Sequence, residues 1–198
     1  MQYPSFYDDI ENIILFDELA NFLGATEDGK IEISYLDCVK FAGHSCPTVA
    51  SSYILAKVAI DDLNITKRSS LKISFKEPKE SGVVGVVGSI LGYIFGCSDE
   101  GGFKGIENSF NRANLLSYNN SKQKAFVEFE NIFTKERIAY NLDSSIVPPD
   151  VRLKELLKIS LSEDASKSEI EEFQRLWQDR VKKMLLNKDI WSKIALKV

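Results

Sequence analysis

Phe41-Ala42-Gly43-His44-Ser45-Cys46-Pro47-Thr48 joins the end of one helical pattern to the start of another, and the rest of the chain is read outward from it. Pro47 suits the first position of a helix, where a backbone N–H has no acceptor within the helix. Val49, Tyr53, Ala56, Val58, Ala59, Ile60 and Leu63 then carry a largely apolar helix to about residue 64. Cys46 thereby falls at or beside the N-cap. Upstream, Ser34 or Asp37 opens a short helix through Phe41, and Gly43 stops it.

Before that turn, Ile10, Ile13, Ile14, Phe16, Leu19 and Phe22 lie close to helical spacing and Gly24 follows as a C-cap, which predicts an amphipathic helix over 8–23. After it, Leu71, Ile73 and Phe75 alternate with Lys72, Ser74 and Lys76, a half-buried strand ended by Pro78. Residues 82–97 are uncharged and hold five glycines. This run is either a helix with Gly88, Gly92 and Gly96 on one face, or a strand over 83–87 followed by a shorter helix. It is too short for a membrane span, which needs roughly 20 apolar residues, so it is expected inside the protein. Residues 97–105 form a glycine-rich loop, and 114–118, 125–132 and 137–142 read as strands with antiparallel pairing.

Ser144-Ser145-Ile146-Val147-Pro148-Pro149 is a linker candidate because paired prolines end sheet pairing. Residues 150–161 and 168–187 then read as helices, the second opening on a Ser168-x-x-Glu171 capping box. Its stripe of Ile170, Phe173, Trp177, Val181 and Met184 is a core or dimer face. The expected organisation is an α+β domain over 1–147, an antiparallel sheet packed against helices, with a helical C-terminal extension over 148–198.

Composition narrows the function. The chain has 44% apolar and 27% charged residues, so a packed core is expected. A net charge of −4 with no clustered basic residues excludes a nucleic-acid footprint. Three cysteines are too few for a disulfide framework, and the first residues lack the pattern of a signal peptide, so a cytoplasmic setting with free thiols is expected.

The chemistry-bearing residues gather at the opening stretch. His44 and Cys46 are two apart at a helix start, where an imidazole and a thiol can converge and where the positive end of the helix dipole favours thiolate, the metal-binding form. Cys97 follows a glycine at the end of an apolar segment and can serve as a third donor. One nitrogen and two sulfurs make a zinc-like ligand set with a fourth position open. Cys38 sits beside Tyr35, Val39 and Ala42 on its helix and belongs in the core. Asp99 and Asp37 are acid–base candidates, and Lys104, in a loop that matches no phosphate-binding motif, is a weak candidate for holding an anion.

Gly43-His44-Ser45-Cys46-Pro47, the small-residue helix after it and the later Gly96-Cys97-Ser98 together resemble the FmdE-like family, which takes its name from a component of formylmethanofuran dehydrogenase. The resemblance covers roughly residues 34–142. It implies an α+β domain, commonly dimeric, with a zinc-like metal held near His44, Cys46 and Cys97. Ala42, Thr48 and Ser52 depart from the family pattern, and no cysteine after Cys97 remains for the zinc finger of longer members. A small-ligand pocket beside the metal is the expectation that follows. The alternative is a non-catalytic accessory component of a molybdenum or tungsten redox enzyme complex.

Overall fold

The computed structural model describes residues 2–198. The predicted turn between helices is built as its residues require. Ser34 caps α2 (Tyr35–Ala42) in a reciprocal box: its hydroxyl accepts from the Asp37 N–H, and Asp37 accepts from the Ser34 N–H. Gly43 ends the helix at φ +75, a conformation that favours glycine. α3 (Pro47–Asp62) follows, with Pro47 at its start and Cys46 at the N-cap. Its apolar residues are not confined to one face, and Val49, Ala50, Tyr53, Ile54, Leu55, Ala56 and Ala59 are fully buried, as in a central core helix.

The segment 8–23 corrects the expected first helix. A short 3-10 turn (Ser5–Asp9) leads into β1 (Ile13–Phe16), and α1 is confined to Glu18–Phe22. Ile13 and Leu15 are buried while Ile14 is 58% exposed, a two-residue alternation. The apolar spacing fits both periods, and antiparallel pairing with β2 (Lys30–Ile33), an unforeseen strand, selects the extended one.

β3 (Leu71–Phe75) occupies its predicted place, and 82–97 resolves as the helix α4 (Val84–Phe95), ended by Gly96 at φ +65. The larger sheet combines β3 with β4 (Leu116–Ser117), β5 (Val127–Asn131) and β6 (Arg137–Leu142), and is completed by β7 (Ala195–Lys197) in the order β4-β3-β5-β6-β7. Its pairs are antiparallel except β4 with β3, which is parallel because α4 carries the chain back to the same end of the sheet.

The C-terminal segment is not packed apart. After a 3-10 turn (Ser144–Ile146), α5 (Leu153–Ser160) and α6 (Lys167–Leu186) lead through another 3-10 turn (Lys188–Ile190) to α7 (Trp191–Ile194) and β7. The cap of α6 is Ser166 with Glu169, two residues earlier than read from the sequence, where two overlapping Ser-x-x-Glu patterns compete. Val181, Met184, Leu185 and Ile194 join the one hydrophobic core, and α6 and α7 pack on α3. The boundary expected at 147/148 is therefore a turn within one packed unit. Among the described residues, no helix is long and apolar enough to cross a membrane.

Asp17 holds three segments together. Its carboxylate caps α1 through the Ala20 N–H and receives Arg68 at 2.8 Å and Arg112 at 2.7 Å, while only 3% of its side chain is exposed. Arg68 also donates to the Tyr93 and Ile94 carbonyls, which ties the β1–α1 turn to the end of α4.

Candidate functional site

His44 is exposed on the turn between α2 and α3, and its Nδ1 lies 2.9 Å from the Ala42 carbonyl oxygen. A carbonyl only accepts, so Nδ1 is the donor in this bond, and the tautomer that this selects carries its lone pair on Nε2, the nitrogen able to bind a cation. Cys46 is half-buried at the start of α3, and its thiol makes no capping bond. The two predicted donors thus share one short turn.

Ser45 between them has a role that the sequence did not reveal. Its hydroxyl receives Tyr35 at 3.0 Å and donates to Gln178 at 3.1 Å, and the same Gln178 oxygen accepts from Tyr7. The Ser45 carbonyl accepts from the Trp177 indole at 2.9 Å and from the Gln178 amide at 3.3 Å. Helix α6 therefore clamps the turn from more than 130 residues away in sequence. Trp177, assigned to a core or dimer face, is half-buried and directs its N–H here.

Cys97 does not join this pair. It is 3% exposed, and its thiol donates to the Leu71 carbonyl at 3.3 Å. Burial pushes that thiol up to about 12, with Arg68 opposing. His44 lines a cavity with Gly85, Val86, Ser89 and Ile90, whereas Cys97 borders the neighbouring one with Gly88, Gly92 and Tyr118. Cys38 is in the core as expected, fully buried and likewise raised to about 12 by burial.

The acid–base candidates are both engaged locally. Asp37 is held by the capping box of α2. Asp99 accepts from Lys79 at 2.8 Å and from the Gly101 N–H, and the Lys79 ammonium holds its carboxyl below the usual range. Lys104 is exposed and pairs with no carboxylate among the described residues.

Two cavities of about 340 and 290 Å³ adjoin along the glycine face of α4. Phe41, stacked on Tyr93 at 4.9 Å, borders both. His44 lies in the first, and Lys79, Asp99 and Tyr118 line the second. A side chain at Gly88 would collide with the Tyr118 hydroxyl, and one at Gly92 would sit 2.7 Å from the Cys97 carbonyl, so glycine at these positions permits the close packing. The Tyr118 hydroxyl is buried and has no hydrogen-bond partner among the described residues, an orphaned group bordering the cleft. Neither Tyr118 nor Lys79 carried a sequence signal beyond strand and loop composition.

Among the described residues, no three His, Cys, Asp or Glu side chains form a group that could hold a metal ion. The chemistry of His44 and Cys46 suits a zinc-like ion, but the three-donor set with Cys97 is not assembled.

The thiols provide a direct check. In the native protein at about pH 8, a chromogenic disulfide reagent is expected to modify Cys46 rapidly, and Cys38 and Cys97 only after denaturation. Rapid native-state labelling of Cys97 at a rate matching Cys46 would contradict its placement.

No family model matches this chain, and no curated protein matches it.

Proposed function

We propose that this protein is a cytoplasmic, FmdE-like metal-binding protein whose open zinc-like site uses His44 and Cys46 and whose cleft along α4 accepts a small ligand. The carrying observation is the Nδ1 bond of His44 to Ala42, which orients an exposed imidazole two residues from a thiol that makes no capping bond. The orphaned Tyr118 hydroxyl supports a polar ligand in the neighbouring cleft. When bound, such an ion supplies Lewis acidity toward a carbonyl or water. Asp37 and Asp99 are committed to a helix cap and an ion pair, which favours binding over turnover. A homodimer is the assembly that the family resemblance implies, and a second copy is one source of the donors that this chain lacks.

Elemental analysis of protein purified with limiting zinc tests the site. One equivalent of metal is expected in the wild type and in Cys97→Ala. Affinity should fall in His44→Ala and Cys46→Ala by more than the roughly 10–100-fold that loss of a ligand's supporting hydrogen bond costs. Metal-free wild type, or variants that keep full metal content, would overturn the reading.

A second reading, a non-catalytic accessory component of a molybdenum or tungsten redox enzyme complex, draws on the exposed apolar residues around α5, where Val151 is 92% and Leu161 79% exposed. Co-purification of a larger redox enzyme, lost in Val151→Asp with Leu161→Asp, is its expected result.

A further inference from the structure

A separate cavity of about 300 Å³ opens between the β1–α1 turn and the 106–112 loop. Its charged lining is Asp17, Glu18, Lys67, Arg68 and Arg112, three cations against two carboxylates, so one positive charge is left over. Lys67 pairs with Glu18 at 2.7 Å, and Arg68 is used by Asp17 and by the two carbonyls at the end of α4. Arg112 is different. Its Nη2 donates to both oxygens of Asp17, but its Nε–H and both Nη1 hydrogens have no partner among the described residues, and only 22% of the side chain is exposed. A half-buried guanidinium with three donors that no protein group takes leaves hydrogen-bonding capacity for an anion.

The uncharged lining is mixed, with Ser69, Asn108 and Asn111 beside an apolar part that includes Phe110, Ile132 and Phe133. Phe110 lies against Phe22 with ring centroids 5.0 Å apart, and Phe133, 67% exposed, lines the same cavity with Ile132. A half-buried and an exposed phenyl ring beside a half-buried cation form the two halves of an amphipathic site.

We propose that this cavity binds a small organic monoanion with a flat apolar body, an aryl or unsaturated carboxylate, with its carboxylate on Arg112 and its body against Phe110 and Phe133. The single surplus positive charge matches a monoanion better than a phosphate dianion. The site is independent of His44 and Cys46, so it stands whether or not a metal binds there.

The test follows the Arg112 Nε–H resonance of the full-length chain by NMR during titration with benzoate, phenyl phosphate, inorganic phosphate and benzyl alcohol, at constant ionic strength set with sodium chloride. A saturable shift is expected with benzoate, at least tenfold tighter than with inorganic phosphate, and no saturable shift with benzyl alcohol. Phenyl phosphate should bind more weakly than benzoate. Phe133→Ala, a change at an exposed side chain, should weaken benzoate about fivefold with the fold intact. In Arg112→Gln, which lacks that resonance, the backbone amide resonances of Phe110 and Phe133, which shift with benzoate in the wild type, should no longer respond, with near-UV circular dichroism showing whether the fold survives the loss of the Asp17 partner. No saturable shift with benzoate, equal affinity for benzoate and inorganic phosphate, tighter binding of phenyl phosphate, or an unaltered benzoate affinity in Phe133→Ala would overturn the proposal.

Discussion

A chain ending at Val147 is expected not to fold. Val181, Met184, Leu185 and Ile194 are at most 2% exposed, and all belong to the core built around α3. Burying each such side chain contributes about 1.5–3 kcal/mol, so together they supply roughly 6–12 kcal/mol. That is comparable to the whole stability of a typical domain, about 5–15 kcal/mol. Truncation also exposes the edge of β6 that β7 covers and removes the bonds from Trp177 and Gln178 to Ser45. The truncated chain should show no cooperative urea transition and no near-UV dichroism. A sigmoidal transition would mean that residues 148–198 are a separable extension, as the paired prolines at 148 and 149 suggest from sequence.

Asp17→Ala is expected to cost about 3–5 kcal/mol, because it leaves Arg68 and Arg112 withdrawn from water without their counter-charge and removes the cap on the Ala20 N–H. For a chain of this size the melting temperature should fall by roughly 6–20 °C. The pH dependence is a separate signature. Burial alone raises the Asp17 carboxyl, but the Ala20 N–H, Arg112 and Arg68 more than reverse this and hold it below its ordinary value. A carboxyl depressed in the folded state adds stability above its unfolded pKa of about 3.9 and loses it as the pH falls through the folded value. The gap between wild type and Asp17→Ala should therefore be full at neutral pH and shrink only below about pH 4. A gap that does not narrow in acid would show that the carboxylate charge contributes nothing.

The sequence was most legible where one residue's chemistry decides the backbone. Ser34 and Asp37, Gly43 and Pro47 each act on their own or adjacent peptide groups, so the α2–turn–α3 unit could be read in place. It was least legible where the same local pattern serves two structures. Residues 13–16 fit either period until β2 pairs with them, and Ser166 and Ser168 both offer a capping box until the path of the chain selects the first. The candidate site divides in the same way. His44 and Cys46 share a turn because they are neighbours in sequence, but whether Cys97 meets them depends on where α4 ends relative to α3.

By itself, then, the sequence determined the α+β class, the central apolar helix with Cys46 at its start and the burial of the glycine-rich run, though not its helical form, because these follow from hydrophobic burial and from the backbone preferences of proline, glycine and serine. The tertiary structure decided the rest. It turned the Cys97 thiol to the Leu71 carbonyl, brought Trp177 and Gln178 onto Ser45, drew the C-terminal segment into the core and placed two arginines on Asp17. Each is a contact between segments distant in sequence, fixed by how the helices and sheet pack together, and local spacing carries no record of that packing.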